Sequence, residues 1–186
     1  MKGNVEDAVS ITDSYRMGNK EYVVKHKSWD AASADLVVLE DGEEHPVELA
    51  AAIERYLIPT EEGLLVWNQG IEHLLYLILP TGEIKELFSI PCMSSDSAVN
   101  VYGSDVFISV ERYEKWGPGG ISLQHYANDS LQGSYRISLK TGEVQKLSDN
   151  IYSGLFIFGD SGIIGCDKLS GKTFFMDFNF NILYTT

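Results

Sequence analysis

A chain of 186 residues, 44% hydrophobic and 11% aromatic, is long enough for a folded domain with a sizeable core and too apolar to be mainly disordered. Its formal net charge of −13 argues against sustained binding to nucleic acid or anionic lipid, which both need clustered Lys and Arg. The longest apolar run, 74–79, is far too short to span a bilayer, and the acidic start Met1-Lys2-Gly3-Asn4-Val5-Glu6-Asp7 is unlike a secretory signal, so the expectation is a cytoplasmic chain with no membrane insertion.

In chain order, the sequence predicts strands separated by turn residues. The first repeat has strands over 9–16, 21–27, 34–39 and 46–49, with a turn at Gly18-Asn19 and another at Asp41-Gly42. Apolar residues over 46–57 also allow a short helix linking this repeat to the next. The second repeat has strands over 55–59, 64–67, 73–79 and 84–90; the third of these is apolar on both faces, as a sheet covered on both sides requires. The third repeat reads 98–102, 106–111 and 134–139, with an insertion of about twenty residues, 112–133, before its third strand. The fourth reads 152–158, 163–167, 173–178 and 182–185, with asparagine in place of glycine as the tolerant residue of its last turn.

The repeat itself is most legible at Leu79-Pro80-Thr81-Gly82-Glu83-Ile84 and Leu139-Lys140-Thr141-Gly142-Glu143-Val144, each an apolar strand, a polar turn and a second strand. Turns at 42, 82, 142 and 181 recur with a period of about forty, broken by the one insertion of about twenty residues, and forty is the length of a four-stranded propeller blade. The expected fold is therefore all-β: a β-propeller-like array of four four-stranded antiparallel blades, partial or small, in one domain, with blades near 1–50, 51–92, 93–149 and 150–186.

The run Tyr135-Arg136-Ile137-Ser138-Leu139-Lys140-Thr141-Gly142-Glu143 and its partner at 75–87 resemble the blades of bacterial β-propellers of the TolB-like and YWTD-like kind. The Trp-Asp ending of WD40 repeats, the paired glycines of kelch repeats and the Tyr-Trp-Thr-Asp string are all missing. What the resemblance implies is a function in partner or ligand binding, with catalysis absent or carried by another domain.

The unusual residues cluster at connections expected on one propeller face. Trp29 and Asp30 follow the second strand of the first repeat, Trp67 and Asn68 stand at the same place in the second, and the insertion carries Tyr113, Trp116, His125 and Tyr126. Aromatic side chains on rigidly mounted loops suit a binding face. The leading expectation is a non-catalytic binding module for a protein or peptide. The alternatives are a propeller binding or hydrolysing a glycan or small molecule, and a structural fragment or subunit completing a larger ring.

No catalytic, cofactor or metal site is expected. Gly159-Asp160-Ser161-Gly162 reads as a turn, His26, His45, His73 and His125 lack ligand spacing, and Cys92 with Cys166 reads as two buried thiols. Phe174, Phe175, Met176, Phe178 and Phe180 give the last repeat an apolar face that needs cover, either within the chain or by self-association through the terminal blades.

Overall fold

The computed structural model describes residues 10–26, 34–69, 73–90, 99–110, 114–117, 120–125, 133–150, 152–167 and 170–186. Among them there is no α-helix, and the strands form four separate four-stranded antiparallel sheets, a propeller-like set of blades, with one extra hairpin. The chain divides into two compact units, Met1–Ser89 and Ile90–Thr186.

The first unit holds two sheets. One joins β1 (Ser10–Met17), β2 (Lys20–His26), β3 (Ala34–Glu40) and β4 (Glu43–Pro46) in chain order. The other joins β5 (Glu54–Pro59), β6 (Leu64–Gln69), β7 (His73–Ile78) and β8 (Ile84–Ile90). Alternation along β2 and β3 turns Tyr22, Val24 and Leu36 to one face, where they meet Leu57, Leu64, Val66, Tyr76 and Ile78 of the second sheet. Full burial of each aliphatic side chain in such a layer contributes about 1.5–3 kcal/mol. The second sheet is buried on both faces, through Leu74, Tyr76 and Ile78 on one and Leu65, Leu75 and Leu77 on the other.

The helix expected near 46–57 does not form. β4 ends at Pro46, residues 47–53 are irregular and β5 follows at Glu54. Proline therefore closes the outer strand where the sequence had suggested that it opens one. The reason lies in register: His45 pairs with Val38 and Pro46 with Val37, which places the strand over Glu43–Pro46 directly after the Asp41-Gly42 turn. The apolar Val47 and Leu49 then pack against the core of the unit.

In the second unit, β9 (Val99–Tyr102), β10 (Asp105–Val110), β13 (Gly133–Ser138) and β14 (Val144–Ser148) form a sheet in the order β14-β13-β10-β9. Between β10 and β13 the insertion contains a hairpin of its own, β11 (Glu114–Gly117) with β12 (Gly120–His125), where the sequence had suggested only a loop. The last sheet joins β15 (Tyr152–Phe158), β16 (Gly162–Asp167), β17 (Thr173–Met176) and β18 (Ile182–Thr185). Its inner face supplies Leu155, Ile163 and Met176 to a core shared with Phe107 of β10, and Tyr102 stacks on Phe178 at 4.3 Å between ring centroids.

The Thr-Gly-Glu repeats make related turns. In each, the threonine Oγ1 accepts the glutamate N–H, at 3.4 Å for Thr81 with Glu83 and 3.2 Å for Thr141 with Glu143. The closing bond runs from Leu79 N–H to Glu83 O in one and from Ser138 N–H to Glu143 O in the other, so the second loop is one residue longer. In the last turn Phe180, not asparagine, takes the left-handed conformation, with φ of 62°. Asp177 holds it there by accepting the N–H groups of Asn179 and Asn181 and the Nδ2 of Asn181, which lets the Phe180 ring enter the core.

Two glycines at matching places are indispensable to the second and fourth sheets. Gly63 and Gly162, with φ of 151° and 149°, stand where β6 and β16 begin. A Cβ would lie 2.2 Å from Ile78 O in the first case and 2.1 Å from Met176 O in the second, so neither site admits a side chain.

Candidate functional site

Of the eight residues that the sequence grouped, four lie among the described residues. Trp67 and Asn68 do not stand on a connecting loop: both belong to β6, with 3% and 0% of their surface exposed. They point to opposite faces, because Trp67 is registered with Leu75 and Asn68 with Leu74. Trp116 lies in β11 opposite Ile121 and His125 in β12 opposite Glu114, as placed by the backbone register of the inserted hairpin. Trp29, Asp30, Tyr113 and Tyr126 lie outside the described residues.

Asn68 works in a buried polar junction. Its Oδ1 accepts Nη1 of Arg55 at 2.7 Å, and its Nδ2 donates to Ala50 O at 3.2 Å. The same guanidinium donates through Nη2 to Ala50 O and through Nε to Ala34 O. Burial lowers the Arg55 pKa, and the nearby Asp35 carboxylate opposes that shift. An arginine keeps its proton even so. Every one of these bonds goes to the chain itself, so the junction fixes the connector between two sheets. Ser161 is likewise held in its turn, its N–H donating to Phe158 O at 3.1 Å. Among the described residues no group of three His, Cys, Asp or Glu could hold a metal ion.

What does stand open is the outer face of the fourth sheet. Register carries one row across all four strands, Phe156 opposite Ile164, Ile164 opposite Phe175 and Phe175 opposite Tyr184. Residues directly opposite share a face, so these four make a continuous apolar stripe on the side away from the core. Phe158 joins it, its ring edge-on to Phe175 at 6.4 Å. Phe156 and Tyr184 are each 65% exposed and Phe158 59%. The Phe156 ring lies over bare backbone at Gly154, where a Cβ would come within 2.9 Å of it.

This face differs from the one the composition of the last repeat suggested. Met176 and Phe180 are buried, Phe174 and Phe178 pack partly against the core, and only Phe175 of the five turns outward. The signal for the true face was in the alternation of Leu155-Phe156-Ile157-Phe158, where both faces of one strand are apolar. Phe156, Phe158, Ile164, Phe175 and Tyr184 carry no carboxylate, imidazole or amine. What they can do is exclude water against another apolar surface. Among the described residues no helix is long and apolar enough to cross a membrane. No protein-family model matches this chain, and no curated protein sequence matches it either.

Proposed function

We propose that the chain is a non-catalytic binding module and that its partner is a protein presenting an uncharged apolar surface. The observation that carries this reading is the row Phe156, Ile164, Phe175 and Tyr184 with Phe158 beside it, an apolar stripe one whole sheet wide that lies open to water. Aromatic residues are the side chains that dominate binding energy at protein interfaces. Trp29, Tyr113, Trp116 and Tyr126 support the same reading from the sequence, whereas Trp67 and Asn68, being buried, leave the set. The resemblance of the Thr-Gly-Glu turns to TolB-like and YWTD-like blades points the same way, since such blades mostly serve to bind.

A random-peptide display library panned on the chain tests it. Apolar, aromatic-containing peptides should be enriched, and Phe156→Glu with Tyr184→Glu should weaken their binding at least about tenfold, the loss of one well-buried aromatic anchor being of order 2 kcal/mol. The thermal transition should stay in place, because both side chains are exposed. Peptides that bind the double variant as well as the parent would remove this face from the proposal.

A further inference from the structure

We infer that the outer face of the fourth sheet is covered by the same face of a second copy of this chain, packed sheet on sheet about a two-fold axis. The inference rests on the binding reading above and names the partner. Charge is the first ground for it. The chain carries a net −13, so most ways of bringing two copies together set carboxylates against carboxylates. The outer face of the first sheet, by contrast, is charged, with Glu21 paired to Arg16 and Glu44 to Lys25 over Val23 and Val37. On the fourth sheet the register places Phe156, Phe158, Ile164, Phe175 and Tyr184 outward, and no Asp, Glu, Lys or Arg among them. A surface used on both sides of a two-fold interface must complement itself, and a charge-free apolar row meets that condition without opposing any like charges.

The second ground is area. Three aromatic side chains more than half exposed, with Phe175 and Ile164 partly so, supply about 400–500 Å² per copy, taking about 150–250 Å² for a whole aromatic side chain. That is roughly half of the 800 Å² per partner of a standard interface, which places the dimer in the weak, concentration-dependent class. The third ground concerns the edge. β18 is uncharged and could pair strand to strand, but its register slips between Phe175 and Met176, leaving Leu183 as an extra residue. A bulge of this type bends an edge away from further pairing, so the face and not the edge is the contact.

Sedimentation velocity on the full chain, from about 5 to about 500 µM, tests the inference across the range of weak association. The weight-average sedimentation coefficient should rise with concentration. Phe156→Glu with Tyr184→Glu should abolish the rise, as should the milder Phe158→Lys, with far-ultraviolet circular dichroism unchanged. A chain monomeric throughout overturns the inference, and it leaves the binding reading standing if the double variant still loses the display peptides. If association persists in the face variants and disappears in Leu183→Pro, the contact is the edge and the inference is wrong. If neither association nor peptide binding responds to the face variants, both readings fall together.

Discussion

In the first unit β4 ends at Pro46 and β5 begins at Glu54, whereas in the second β14 ends at Ser148 and β15 begins at Tyr152, so the same task of passing from one sheet to the next uses a longer connector in one unit than in the other. The longer connector is tied down by a side chain of long reach: the guanidinium of Arg55 meets Ala50 O, Ala34 O and Asn68 together. The shorter one is served by two hydroxyls. Ser109 Oγ accepts the N–H of Tyr152 at 2.9 Å, and Ser134 Oγ donates to Asn150 O at 3.1 Å. Ala34 and Ser134 each stand where the third main strand of a sheet begins, so the junctions correspond in position while differing in chemistry. The longer connector is thus held by a charged fork and the shorter one by small hydroxyls.

The largest effects should come where the units agree. Gly63→Ala and Gly162→Ala each force a Cβ onto a carbonyl oxygen from a left-handed backbone, and each should cost more than about 3 kcal/mol. Hydrogen exchange read by mass spectrometry should show protection lost first over 54–90 in one variant and over 152–185 in the other. A variant with wild-type protection would mean that the two glycines are not equivalent.

Next in size is the contrast itself. Arg55→Met leaves Ala34 O and Asn68 Oδ1 without the guanidinium donor, while Ala50 O keeps that of Asn68 Nδ2, and should cost about 3 kcal/mol. Ser134→Ala removes only neutral hydroxyl contacts, to Asn150 O and to Ser109 Oγ, and should cost about 1 kcal/mol. Denaturant midpoints for the pair give the ratio directly. Equal losses would erase the distinction between the two junctions.

The smallest effect concerns the last turn. The Asp177 carboxyl is held below its ordinary 3.8, first by Asn181 Nδ2 and then by backbone N–H groups. A carboxyl lowered in the folded state stabilises it fully above the unfolded pKa, and that contribution is lost as the pH falls through the lowered folded value. Exchange protection in β18, corrected for intrinsic rate, should therefore be flat near neutral pH and decline below about pH 4. Asp177→Asn should abolish that dependence. An identical decline in the variant would assign it to other carboxylates.

The sheets were legible because alternation and turn chemistry are local. Thr81-Gly82-Glu83 and Thr141-Gly142-Glu143 announce their turns, and the two-faced pattern of 74–79 announces a sheet buried on both sides. Pro46 was misplaced by register: alternation alone did not tell whether the outer strand runs up to the proline or away from it, and the pairing of His45 with Val38 decides it. Of the candidate site less was legible. The sequence predicts Trp67 as the last residue of its strand and so as lying beside a loop, whereas β6 runs on to Gln69 and Trp67 is buried within the sheet. Which side of β15 would face water depends on the pairing of Ile157 with Ile163 and Ile163 with Met176, a long-range choice made in the core and not in the pattern of the strand.

β10 and β13 stay in register along their whole length, from Asp105 opposite Ser138 to Val110 opposite Gly133. The chain therefore leaves this sheet and re-enters it at neighbouring points, and whatever is strung between them hangs from a closed stem. Doubling the length of such a segment costs only about 0.6 kcal/mol in loop closure. For protein engineering that makes the interval a graft port: a reporter domain with adjacent termini can be spliced in after Val110 and before Gly133, and its loading read out on the graft while the host ladder keeps its six pairs.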